Sequence, residues 1–151
     1  MAIGPTKPPT IYQLDSTRPS GFASHTPTDF AWRHERGGSI SWPGFVKPQP
    51  TPLNLSDGKI EIYIGALATP DIITISFFHC TRRASRFPGR SDRFDLKTGD
   101  LYSTIRKVGR RRQVTFTAPR WKGRIMRLTI SYSNNGQRKP SVARYLFRLS
   151  S

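Results

Sequence analysis

The stretch Lys59-Ile60-Glu61-Ile62-Tyr63-Ile64 places an isoleucine at every second position, with Glu61 and Tyr63 between them. A period of two puts all three isoleucines on one face of a pleated strand, whereas a helix would scatter them around its circumference. Asp57-Gly58, just upstream, is a turn signal. The reading is a half-buried β-strand entered from a tight turn.

Working outward, the same pattern recurs. Residues 71–79 put Ile73, Ile75 and Phe77 on one face and Thr74 and Ser76 on the other, after a turn at Thr69-Pro70. Segments 101–108 (LYSTIRKV), 113–118 (QVTFTA), 124–132 (RIMRLTISY) and 142–149 (VARYLFRL) continue the series. In the fifth, Met126, Leu128, Ile130 and Tyr132 are expected to face inward, and Arg127, Thr129 and Ser131 outward. The last is expected to bury Ala143, Tyr145, Phe147 and Leu149, although Val142 and Leu146 leave its other face only half polar. Val108-Gly109-Arg110-Arg111-Arg112 reads as a hairpin tip, and Asn134-Asn135-Gly136 as a second one joining the last two strands. No stretch of ten or more residues has helical spacing. Six strands rich in β-branched and aromatic residues define an all-β class, a small antiparallel sandwich or barrel with a jelly roll among the permitted arrangements.

Residues 1–52 differ. They hold nine of the 13 prolines, each of which fixes φ and removes a donor. They also hold Ile11, Tyr12, Trp32 and Trp42, more aromatic and apolar material than a solvated linker carries. This segment is expected to be an extended N-terminal arm, docked through those four anchors on its own domain or on a neighbouring subunit. Residues 53–151 are then the basic β domain.

The chain has 25 Lys and Arg against 9 Asp and Glu, a net charge of +16. Three quarters of that excess lies in residues 81–130, with fifteen basic and three acidic groups, while residues 1–50 carry only +2. Arginine outnumbers lysine 18 to 7. A planar guanidinium forks onto phosphate oxygens and stacks on bases, which an ammonium does not. The expected contacts are Arg82, Arg83, Arg86 and Arg90 on the long connection 81–100, Arg106, Lys107, Arg110, Arg111 and Arg112 around the hairpin, and Arg120, Lys122 and Arg124 beyond it. Phe87, Phe94, Tyr102 and Trp121 are interleaved among them. They offer stacking platforms, although for Phe94, Tyr102 and Trp121 a place in the core is the favoured expectation.

Other classes fare worse. Only two glutamates and seven aspartates occur, without a pairing motif, and His25, His34 and His79 are far apart in sequence. No phosphate-binding glycine loop is present, so neither catalytic nor metal-ligating residues nor a cofactor are expected. The single cysteine, Cys80, cannot form an internal disulfide. No apolar run approaches a bilayer span or a signal peptide, so synthesis in the cytosol is expected, with no secretion. An anionic membrane surface is the rival polyanion, but the chain offers no amphipathic helix or lipidation motif to hold it there.

At the level of design, a small all-β domain with a Pro-rich arm and a large positive charge resembles the coat or matrix proteins of small viruses. That resemblance implies a homo-oligomer that binds its genome through phosphate contacts, RNA ahead of DNA, and resides in the virion. It departs from such proteins in having a nearly neutral arm, so the arm would hold subunits together while the hairpin and loop arginines face the genome. The alternatives are a ribonucleoprotein or ribosomal component, and a viral accessory protein that sequesters duplex RNA.

Overall fold

A computed structural model describes residues 5, 7–33, 39–42, 50–55, 57–78, 93–98, 100–118, 125–133 and 140–150. Among these residues there are twelve strands: β1 (Ile11–Leu14), β2 (Phe22–His25), β3 (Asp29–Arg33), β4 (Ser39–Trp42), β5 (Thr51–Asn54), β6 (Lys59–Ile64), β7 (Ile72–Phe78), β8 (Arg93–Asp95), β9 (Thr104–Val108), β10 (Arg111–Thr117), β11 (Ile125–Tyr132) and β12 (Ser141–Ser150). The six strands expected from period-two patterning are β6, β7 and β9 to β12. Short turns of 3-10 helix occupy Leu96–Thr98 and Asp100–Tyr102.

The strands form two packed sheets, a β-sandwich. Sheet 1 has the order β2-β1-β6-β10-β9 and sheet 2 the order β4-β3-β12-β11-β7-β8. β12 is long enough to serve two partners on one side: Val142–Arg144 pair antiparallel with β3, and Phe147–Ser150 pair parallel with β5. The other pairings are antiparallel.

The inner faces follow the alternation. Ile60, Ile62, Ile64, Val114 and Phe116 of sheet 1 meet Ile73, Ile75, Phe77, Met126, Leu128, Ile130, Tyr145 and Phe147 of sheet 2, all at most 2% exposed. Complete burial of an aliphatic or aromatic side chain stabilises by about 1.5–3 kcal/mol, so this layer carries the fold.

Residues from the first 52 are members of both sheets. β1 and β2 extend sheet 1 beyond β6, and β3 and β4 extend sheet 2 beyond β12. Ile11 and Trp32 are completely buried in the core of the same chain. Two buried aromatics fasten the segment before β1: the Trp32 indole Nε1 donates to the Pro5 carbonyl at 2.9 Å, and the Tyr145 hydroxyl donates to the Pro9 carbonyl. Each satisfies a polar tip that would otherwise be stranded in an apolar layer. Trp42 stands in β4 opposite Phe30, and its side chain lies outside the described residues.

Two expectations need correction. Arg127 does not face solvent: it is 6% exposed, with its guanidinium 5.1 Å from the centre of the Phe78 ring. The outer face of sheet 2 is itself buried there, because Phe78, Ile125 and Leu146 form a second apolar cluster. Tyr102 is not a core residue either, being 91% exposed. The turn at 134–136 lies outside the described residues.

Candidate nucleic-acid interface

The hairpin of β9 and β10 is built by a two-residue turn. Val108 pairs with Arg111 across it, and Gly109 takes a φ of 60°. A positive φ at the first turn position suits the right-handed twist of the flanking strands, and glycine adopts it without steric cost. Arg110 is the second turn residue and is exposed at the tip.

The pleat then divides the remaining charges. Arg106 and Arg111 share the outer face of sheet 1 with Gln113, whereas Lys107 and Arg112 have the opposite parity, level with Ile105 and Val114. Arg106 and Lys107 are exposed on β9, the edge strand of the sheet. Charged side chains on an exposed edge also discourage pairing with another strand. Arg112 is partly engaged, its Nε donating to the Leu67 carbonyl at 2.8 Å.

Arg111 has the most developed surroundings. Its guanidinium lies 4.0 Å from the centre of the Tyr12 ring and 4.4 Å from that of Phe22. Phe22 in turn meets Tyr12 and Tyr63 edge to face, at centroid distances of 6.2 and 5.4 Å. The three rings come from β1, β2 and β6; the guanidinium lies against the first two, and Gly65 stands one residue beyond the Ile64–Arg112 pair. A Cβ on Gly65 would sit 2.9 Å from both the Tyr12 ring and the Thr10 carbonyl. Glycine there lets the tyrosine lie across the end of β6. The two rings flank the Arg111 guanidinium, and the residue stays partly exposed, so its planar N–H donors are a candidate fork for an anion.

A polar network adjoins this cluster. The Arg106 Nε donates to Gln113 Oε1; the Gln113 amide nitrogen donates to Glu61 Oε1 and to the Tyr63 hydroxyl; and Tyr63 donates to Glu61. Burial, and secondarily the hydrogen bond to Glu61, raises the Tyr63 pKa above the usual phenol value. The phenol therefore stays a neutral donor. Beyond Glu61, where β1 diverges from β6, lies a groove of about 440 Å³ bordered by Gln13, Asn54, Asp57 and Lys59.

Of the sequence-based contacts, Arg106, Lys107, Arg110, Arg111 and Arg112 are thus brought onto one hairpin. Arg82, Arg83, Arg86, Arg90, Arg120, Lys122 and Arg124 lie outside the described residues, as do Phe87 and Trp121. Phe94 is half-buried against Phe77 at 6.1 Å. Tyr12, expected as an arm anchor, carries the Arg111 guanidinium over its ring. Phe22 and Tyr63 were not anticipated at the site, and the only signal for them was their aromatic character.

Among the described residues no three His, Cys, Asp or Glu side chains gather to hold a metal ion. No described helix is long and apolar enough to cross a membrane. Comparison with known proteins finds no family model, curated protein or solved structure that matches the chain.

Proposed function

We propose that the chain is a non-enzymatic nucleic-acid-binding protein that assembles with its own copies, in the manner of a small viral coat or matrix protein, and that it grips RNA through phosphate contacts. The observation that carries this reading is the β9–β10 hairpin. It presents Arg106, Lys107 and Arg110 to solvent next to an Arg111 guanidinium packed against two aromatic rings. Phosphates supply the negative charge and the planar pairs of oxygens that such a surface complements. A net charge of +16 makes copies repel one another until a polyanion lies between them. Assembly should therefore depend on nucleic acid and on low salt.

Binding to an oligouridine, measured across a salt series, tests the contact set. Each phosphate contact contributes about 0.7–0.9 to the slope of log affinity against log salt. Replacing Arg106, Lys107 and Arg110 together by Ala should lower the slope by roughly 2–3. An unchanged slope overturns the site. Light scattering tests assembly: a large particle formed with RNA supports the coat reading. A stable monomer bound to one duplex supports a duplex-sequestering accessory protein, and a monomer that precipitates without its RNA supports a ribonucleoprotein component.

A further inference from the structure

Leu101 and Tyr102, which lead into β9, have φ values of 58° and 51°. In this left-handed region the Cβ crowds the backbone, and residues other than Gly, Asn and Asp rarely occupy it. For Leu101 the fold supplies a reason, because its side chain packs against the core. Tyr102 has none of that compensation, since 91% of its surface is open to solvent. Its backbone is nevertheless fixed on both sides. Leu101 is anchored before it, and after it the Ser103 hydroxyl donates at 2.7 Å to the carbonyl of Leu96, itself buried. Residues held in such strained geometry by their surroundings cluster at ligand-binding and switch sites.

What Tyr102 offers is a planar ring held off the protein at the start of the cationic edge strand. Arg106 lies four residues on, no more than about 14 Å along an extended chain, and Lys107 follows it. A short run of nucleotides can span that distance. In a duplex the bases are already stacked on one another, and only an unpaired base presents a free face to a side-chain ring. Resting on the nucleic-acid reading above, we infer that Tyr102 is a stacking platform for an unpaired base and that the β9 edge holds the flanking phosphates. The protein accordingly selects single-stranded over duplex nucleic acid.

The experiment uses the full chain, an oligouridine and an RNA hairpin of equal charge, with Tyr102→Phe, Tyr102→Ala and Tyr102→Asn. Asparagine tolerates the left-handed backbone, so it removes the ring without adding strain. Wild type and Tyr102→Phe should bind oligouridine alike and more tightly than the hairpin. The Ala and Asn variants should lose about 5- to 150-fold for the single strand, the range of one lost base stack, with no change in salt slope. An oligonucleotide carrying 5-iodouridine should photocrosslink at Tyr102.

Unaltered oligouridine affinity in Tyr102→Asn, a preference of wild type for the hairpin, or crosslinks confined to other residues would each overturn the inference while leaving phosphate binding by the hairpin intact. Failure of wild type to bind either RNA at low salt overturns both. A Tyr102→Asn variant that loses self-association without RNA would instead assign the ring to a contact between copies.

Discussion

Arg111 on the outer face of sheet 1 and Arg127 on the outer face of sheet 2 both rest on aromatic rings, but Arg111 is half-exposed and Arg127 is buried at 6% exposure. Arg127 is expected from sequence to face outward from its strand, and Arg111 to stand at a hairpin tip. Arg111 lies against Tyr12 and Phe22 yet stays partly exposed. Around Arg127 lie Phe78, Ile125 and Leu146, with Thr74, Ser76 and Ser131 also buried. The same side chain is thus part of a partly exposed, proposed binding surface in one sheet and part of the packing in the other. Charge counted along a sequence overstates the charge available to a ligand by the arginines that the fold absorbs.

The sharpest way to break this contrast is to truncate both. Arg127→Ala should cost about 2–4 kcal/mol, because it removes a buried stem and guanidinium together. Urea unfolding should show a lower midpoint at unchanged m, with no change in the salt slope of RNA binding. Arg111→Ala should cost about 1 kcal/mol through its lost ring contacts, while lowering the salt slope by roughly 0.7–0.9. Equal stability losses in the two variants would erase the distinction.

A smaller effect is expected at Glu61, the acidic member of the outer face of sheet 1. Glu61→Gln keeps an oxygen to accept from Gln113 and Tyr63 but removes a negative charge linked to Arg106 through Gln113. A unit charge several ångströms from a bound phosphate is worth at most on the order of 1 kcal/mol in water, so oligouridine affinity should rise by up to about fivefold at low salt. Weaker binding would show that the carboxylate serves the interface by positioning Gln113 and Arg106.

The least effect is expected where the two sheets meet. His25 of β2 lies edge to face on Phe147 of β12, at a centroid distance of 5.3 Å. Its Nε2 pairs with the Gln13 amide nitrogen at 2.8 Å, and that nitrogen also donates to the Pro52 carbonyl of β5. Burial, and secondarily the positive charge of Arg18, lowers the His25 pKa below 6.5. The unfolded chain then takes up the proton first as pH falls. Stability from this group is complete above about pH 6.5 and declines as pH drops from there toward the lower folded value. Denaturation midpoints measured against pH should show that decline in wild type and less of it in His25→Gln.

Much of this was legible in the sequence. The six strands with alternation over five or more residues are present, and Ile60, Ile62, Ile64, Met126, Leu128 and Ile130 face the core as their spacing required. The short strands were not legible. Phe22–His25 buries Ala23 and His25, neither of which is an apolar signal. Thr51–Asn54 contains Pro52, which argues against a strand until the parallel pairing with β12 is seen. At the site, the hairpin charges could be read from local sequence. Their separation onto opposite faces followed from register, and the rings beneath Arg111 come from strands about fifty to one hundred residues upstream.

By itself the sequence determined the all-β class, the principal core faces and the glycine turn that presents Arg110, because these depend on neighbours in the chain and on a period of two. Only the tertiary structure decided which of the described arginines remain exposed. Burial and ring stacking depend on sheet order: β2-β1-β6-β10 carries Tyr12 and Phe22 to Arg111, while the packed outer face of sheet 2 encloses Arg127. The exposure of Tyr102 was decided there as well, since a ring that local composition would assign to the core is held outside by a backbone step fastened through Leu101 and Ser103.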